Sequence, residues 1–170
     1  KDGPHRALLA GSVSPGQLIL RDGTLRVNSR PGGKHYYQGG ILELANNYRD
    51  WSYNNQIFFG AGGGGWAAQG NDITIWISGA TAQEWGVSPG FVLDGDPLML
   101  NSTSADSRVR YDSYINLGSS GGAALREFRI ADNTASSTDY AQMYGRLSGD
   151  AGYVLWKTGD GLLTLTNNGN

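Results

Sequence analysis

The chain has 170 residues, including 27 glycines and no cysteine, and a formal net charge of −2 at pH 7. This length is enough for one domain with its own core, so we expect a single all-β domain over residues 1–170. The missing cysteines exclude disulfides and thiolate metal sites, and the small negative charge argues against a nucleic-acid partner. There is no run of about 18 apolar residues, so we expect no membrane insertion by this segment.

Short segments in which apolar and polar residues alternate occur along the whole chain. This alternation places one set of side chains in a core and the other outward, so it predicts half-buried strands. In chain order the clearest are 17–20, 24–28, 41–44, 73–77 and 163–166, with further strands at 56–59, 97–100, 108–111, 114–117, 125–130 and 153–156. Residues 135–144 could form a helix, but their Ser, Thr and Asp content favours a loop entering a strand equally. We predict little or no helix.

Several predicted strands end in asparagine, at Asn28, Asn46, Asn101 and Asn167. Asparagine tolerates the left-handed conformation of tight corners and can stack on the asparagine of an adjacent rung. Ordinary turn chemistry is the simpler explanation, but the repetition favours a parallel β-helix or β-solenoid. A β-sandwich or jelly roll is the alternative, because many short strands with glycine-rich turns suit it equally.

A specific motif occupies residues 156–168, where Lys157-Thr158-Gly159-Asp160-Gly161 precedes alternating leucine and threonine and a closing asparagine. This segment resembles the autotransporter-associated β-strand repeat of large bacterial secreted or surface proteins. Leu162 departs from the threonine that is commoner in the repeat. The resemblance covers residues 60–168 well and residues 1–59 more loosely.

The resemblance implies a parallel β-helix or related β-solenoid in a secreted or cell-surface bacterial protein, elongated by stacked rungs. The Gly, Asn, Ser, Thr and aromatic-rich composition is likewise typical of mature surface proteins. The N-terminus has neither a signal-peptide pattern nor an initiator methionine, which suggests a processed or excised segment.

The motifs do not indicate an enzyme. The histidines, His5 and His35, have no triad motif around them, and the neighbours of His35 favour a solvated or locally hydrogen-bonded role. Polysaccharide cleavage needs two carboxylates at a defined separation, and sequence spacing cannot show which two lie that far apart in space. These carboxylates are Glu43, Asp94, Asp96, Asp106 and Asp112.

Metal and phosphate sites are also not indicated, and we expect no cofactor. Residues 94–97 are better explained as a turn than as a calcium loop. The glycine run 60–65 lacks the Lys and Ser/Thr of a phosphate loop, so we interpret it as a flexible turn.

Aromatic side chains are the best candidates for recognition, because their rings stack on sugars and protein surfaces. The predicted ligand or interface residues are Tyr36, Tyr37, Trp51, Tyr53, Trp76 and Trp85. The alternative is that several of them fill the core, since aromatic residues are highly buried on average. Trp76 stands out because its neighbours Ile75 and Ile77 take inward positions and leave it outward.

The sequence thus favours an extracellular structural or adhesive β-solenoid module that self-assembles into a surface filament or layer. The expected partners are further copies or neighbouring repeats of the same chain, together with glycans. A carbohydrate-binding module is the alternative, and a polysaccharide-cleaving enzyme is the weakest of the three.

Overall fold

The computed structural model describes residues 5–11, 16–50, 56–77, 81–119 and 124–167. These residues are all-β with almost no helix, as the sequence predicts. The strands are β1 (Arg6–Leu9), β2 (Gln17–Leu20), β3 (Thr24–Val27), β4 (Lys34–Tyr37), β5 (Ile41–Leu44), β6 (Tyr48–Asp50), β7 (Ile57–Phe59), β8 (Gly64–Ala68), β9 (Ile73–Ile77), β10 (Gln83–Glu84), β11 (Leu98–Leu100), β12 (Val109–Tyr111), β13 (Ile115–Asn116), β14 (Ala124–Ile130), β15 (Ala141–Met143), β16 (Leu147–Ser148), β17 (Tyr153–Thr158) and β18 (Leu163–Leu165).

The strands form four parallel sheets. The largest has seven strands in the order β1-β3-β5-β8-β11-β14-β17, and a second has five strands in the order β18-β15-β12-β9-β6. Two three-stranded sheets have the orders β2-β4-β7 and β10-β13-β16. A jelly roll is built from antiparallel strands; in the described part of the chain, antiparallel pairing is limited to an isolated bridge between Ala68 and Ser107.

The chain returns repeatedly to the seven-stranded sheet and adds one parallel strand at each return. The interval between in-register positions ranges from 17 residues, between Thr24 and Ile41, to 34 residues, between Gly65 and Met99. Parallel neighbours require such crossover connections, because a short hairpin can join only antiparallel strands. These long parallel sheets are compatible with a β-helix.

Inward side chains from successive returns line up to form the core. On the seven-stranded sheet one such column is aligned by strand register and is buried throughout; it consists of Leu25, Leu42, Trp66, Leu100 and Ile130. Burying a large apolar side chain stabilises a fold by about 1.5–3 kcal/mol. The parallel register, which aligns inward residues of successive strands, is therefore what builds this column. No helix in the described residues has the length and apolar character needed to cross a membrane.

The glycine run 60–65, whose last two residues belong to β8, packs closely against neighbouring backbone. A Cβ atom on Gly63, whose φ is +64°, would lie 2.0 Å from the carbonyl oxygen of Pro97. A Cβ on Gly65 would lie 1.8 Å from the carbonyl oxygen of Met99. Gly64 and Gly65 belong to a buried strand, so the interpretation of this run as a flexible turn is wrong for these two residues.

The glycines of the C-terminal motif have a similar role. Gly159 has a φ of +72°, and a Cβ there would lie 2.2 Å from the carbonyl oxygen of Ile130. A Cβ on Gly161 would lie 2.3 Å from the carbonyl oxygen of Ala131. Both glycines thus face the backbone of the preceding return, which explains physically why this motif needs glycine at these two positions.

Asparagine side chains connect successive returns at the corner after the seven-stranded sheet. The amide nitrogen of Asn46 donates to the carbonyl of Asn28 at 3.2 Å, and that of Asn28 donates to the carbonyl of Ala10 at 3.1 Å. The two asparagines therefore lie on adjacent returns and are joined by a side-chain to backbone hydrogen bond. Asn101 differs, because it is buried at a φ of 65° and its side-chain amide has no hydrogen-bond partner in the described structure.

Candidate functional site

The outer face of the five-stranded sheet carries a half-buried tryptophan. Strand β9 alternates strictly, with Ile73, Ile75 and Ile77 buried and with Thr74 and Trp76 half-buried on the opposite face. Trp76 therefore faces outward, as the alternation predicts, and its side chain lines a groove on this face of the sheet.

Strand register places polar groups beside this ring. Arg49 of β6 is the in-register partner of Trp76, and Arg110 of β12 is the partner of Thr74. An open groove of about 170 Å³ is lined by Arg49, Thr74, Trp76 and Asp112, and we call it the Trp76 groove. It combines an aromatic face with hydroxyl, guanidinium and carboxylate groups.

One wall of the groove is fixed by an ion pair. Arg110 donates from Nε to Asp112 Oδ1 at 2.5 Å and from Nη2 to Oδ2 at 3.1 Å. Its guanidinium carbon also lies 3.6 Å from the ring centroid of Tyr144. The hydrogen bond that Arg110 donates to Asp112 raises the pKa of Arg110, so the guanidinium stays charged and holds the carboxylate in a defined orientation.

Two of the predicted aromatic residues lie in the core rather than at the surface. Tyr37 is fully buried and stacks on Phe59 with ring centroids 5.0 Å apart. Trp85 is also fully buried, donates from Nε1 to the carbonyl of Leu93 at 3.1 Å and contacts Phe128. Their positions agree with the alternative that these rings fill the core, and neither can contact an external ligand without unfolding.

Of the remaining predicted aromatic residues, the structure describes Tyr36, which lies on a different sheet from the groove. Tyr36 is half-buried on the β2-β4-β7 sheet, where it stacks on Phe58 with ring centroids 4.9 Å apart. Trp51 and Tyr53 lie outside the described residues. Sequence reasoning missed Arg49 as a neighbour of Trp76, because only the pairing register of β6 and β9 brings the two residues together.

The carboxylates considered for catalysis have separate structural partners. Glu43 is fully buried and accepts hydrogen bonds from Arg6 Nη2 at 2.6 Å and from the hydroxyls of Ser102 and Ser104 at 3.0 and 2.5 Å. The partners of the others are Arg126 for Asp94, the Gly62 amide for Asp96, the Gly70 amide for Asp106 and Arg110 for Asp112. Each carboxylate thus has its own local set of donors.

His35 is locally hydrogen-bonded, which is one of the two roles expected for it, and it is also buried. Its Nε2 donates to the carbonyl of Pro31 at 3.0 Å, and its Nδ1 accepts from the Tyr48 hydroxyl at 2.8 Å. Burial lowers the pKa of His35 below its ordinary value, so the ring is neutral near pH 7. The imidazole therefore belongs to the core and not to the groove.

Within the described residues no group of three or more His, Cys, Asp or Glu side chains is placed to hold a metal ion. Comparison of the chain with family models, with curated proteins and with solved structures finds no match.

Proposed function

We propose that this chain is a structural or adhesive β-solenoid module of a bacterial secreted or cell-surface protein, in which successive coils stack on one another. The observation that carries the proposal is the seven-stranded parallel sheet, to which the chain contributes one in-register strand at each return. The resemblance of residues 60–168 to the autotransporter-associated repeat supports the extracellular setting. The proposed role is mechanical and involves no reaction.

The last described return offers an edge on which another coil can stack. Strand β17 pairs with β14 on one side, and no strand of the described residues covers its other edge. Exposed apolar side chains occur in the same return, with Val154, Trp156 and Leu165 each about half exposed. Unpaired backbone groups next to apolar side chains favour addition of a further strand. A neighbouring repeat or a second copy would supply it and extend the body into a filament or layer.

Association of the purified chain tests this proposal. We expect light scattering to show a mass that increases with concentration, and negative-stain electron microscopy to show end-to-end particles. Leu165→Lys places a charge on the last return and should reduce association. The matched control is Val87→Lys, because Val87 is 66% exposed but lies before β11, away from the last return. A chain that stays monomeric at every concentration would contradict the proposal, as would equal effects of the two variants.

A second candidate function is carbohydrate binding at the Trp76 groove. The observation that favours it is the outward indole ring bordered by Thr74, Arg49 and Asp112, because sugars combine apolar ring faces with hydroxyl groups. A glycan array should detect binding that Trp76→Ala removes without loss of folding. Trp156→Ala is the control, since Trp156 is 48% exposed on a different sheet. Equal losses in both variants would argue against a site at Trp76.

A further inference from the structure

We propose that the Trp76 groove selects saccharides that carry a carboxylate, with a sugar ring stacked on Trp76 and its carboxylate bound by Arg49. The inference rests on the carbohydrate recognition proposed above and adds the chemical class of the ligand. It follows from how the charges in and around the groove are paired and from the size of the groove.

The positive charge of Arg49 is not neutralised by the charged residues around it, because those residues form ion pairs with one another. Arg110 and Asp112 neutralise each other through two hydrogen bonds, so Asp112 is already engaged by another cation. Asp50, next in sequence to Arg49, is buried on the opposite face of β6 and pairs with Arg30. Among the described residues no ion pair involves Arg49, which is exposed. The groove therefore carries an excess positive charge at one defined position.

The positions of Arg49 and Trp76 suit one acidic sugar. They are in-register partners on adjacent strands, and parallel strands lie about 4.8 Å apart. A sugar stacked on the indole would therefore place its acidic substituent within reach of the guanidinium, which binds carboxylates through two parallel hydrogen bonds. The groove volume of about 170 Å³ lies below that of typical drug-sized pockets, so it suits a single ring.

The remaining groups of the groove serve the hydroxyls of the same sugar. Thr74 supplies a hydroxyl group that both donates and accepts, and Asp112 supplies acceptor oxygens held by Arg110. A carboxylate near Asp112 would be repelled, whereas one near Arg49 would be attracted. This asymmetry gives the bound ring one preferred orientation, with its acidic group toward β6.

Binding of matched acidic and neutral probes tests the inference. Titration calorimetry would compare 3′-sialyllactose with lactose, and trigalacturonic acid with its methyl ester, at two salt concentrations. We expect at least one acidic probe to bind at least about tenfold more tightly than its neutral counterpart, and this preference to weaken as salt rises. The two pairs distinguish a terminal sialic acid from a uronic acid as the source of the carboxylate.

Variants then test which residue is responsible for the preference for acidic over neutral probes. Arg49→Gln should reduce the acidic-over-neutral preference to near unity, and Trp76→Ala should remove binding of both probes. Arg146→Gln is the matched control, because Arg146 is exposed and lies over the ring of Tyr114, at 5.7 Å from its centroid, away from the groove. Circular dichroism and thermal unfolding would check that each variant folds.

The possible failures are distinguishable. Equal binding of acidic and neutral probes by the native chain would overturn the selectivity and leave carbohydrate recognition standing. A preference that persists in Arg49→Gln would overturn the assignment of the carboxylate to this residue. Binding of none of the four probes would overturn the inference together with the carbohydrate recognition on which it rests.

Discussion

The hydroxyl of Tyr48 donates to Nδ1 of His35 at 2.8 Å, and both side chains are fully buried. Because Nε2 donates to the carbonyl of Pro31, the neutral ring is held in one tautomer. The guanidinium of Arg30 lies 4.5 Å from the Tyr48 ring centroid and pairs with Asp50 at 3.2 Å. Protonation of His35 would place a second cation beside Arg30 and remove the acceptor of the Tyr48 hydroxyl.

We therefore expect a component of folding stability that is lost on acidification. Burial lowers the pKa of His35 below its ordinary value of 6.5, so the unfolded chain takes up the proton more readily than the folded chain. This component is complete above about pH 6.5 and declines as the pH falls from there toward the folded-state pKa. Urea unfolding at pH 8 and pH 5.5 should show a smaller loss in His35→Gln than in the native chain. Equal losses in the two proteins would exclude His35 as the source.

The glycine before β8 gives a second prediction. Gly63→Ala should destabilise the fold by at least about 2 kcal/mol, because the new methyl group would overlap the Pro97 carbonyl and the backbone would have to keep a positive φ. Gly16→Ala is the control, since nothing lies within 4 Å of a Cβ built there, and its effect should stay within about 0.5 kcal/mol. Chemical denaturation measures both. An unchanged free energy of unfolding in Gly63→Ala would mean that the chain around Pro97 can move without destabilising the fold.

The strands that sequence predicts well are those with alternating aliphatic residues. All the predicted strands are found with bounds that differ by at most two residues, and the candidate helix at 135–144 contains strand β15 instead. Strand β8 was not predicted, because its glycines are selected by close backbone approach and not by strand propensity. Which strands pair could not be deduced either, since the returns differ in length from 17 to 34 residues.

The candidate site was predicted only in part. Alternation shows which way a side chain faces, but it does not show which strands are neighbours. Alternation within β9 gave the outward orientation of Trp76, because three isoleucines mark the inward face. Trp85 has no such pattern: it follows the two-residue strand β10, and both Gln83 and Trp85 are buried. Arg49 precedes Trp76 by 27 positions, so only the register between β6 and β9 reveals that they are neighbours.

These two tryptophans should respond differently to truncation. Trp85→Ala removes a fully buried ring that contacts Phe91 and Phe128, and it should lower the free energy of unfolding by about 3–5 kcal/mol. Trp76→Ala removes a half-buried ring from the outer face, and it should cost about 1 kcal/mol or less. Equilibrium unfolding in urea compares them directly. Similar large losses would mean that Trp76 is part of the core and would weaken its assignment to a binding groove.

The final prediction concerns Glu43, whose carboxylate is fully buried on the side of β5 opposite Leu42 and Leu44. It accepts hydrogen bonds from Arg6 at one end of the seven-stranded sheet and from Ser102 and Ser104 in the segment after β11. Glu43→Gln keeps the shape but removes the charge and one acceptor, so we expect a loss of about 1.5–3 kcal/mol. Asp160→Asn, at an exposed position, is the control and should be neutral.

Limited proteolysis can show where that loss occurs. If the carboxylate holds the segment after β11 against the sheet, Glu43→Gln should increase cleavage around residues 102–108 more than elsewhere, because local opening there no longer breaks charge-assisted hydrogen bonds. Arg6→Gln, which removes the cation but leaves both serine contacts, should destabilise the fold less and leave this cleavage nearly unchanged. The same cleavage pattern in both variants would instead mean that the Arg6 ion pair, and not the serine hydroxyls, fixes the position of the Glu43 carboxylate.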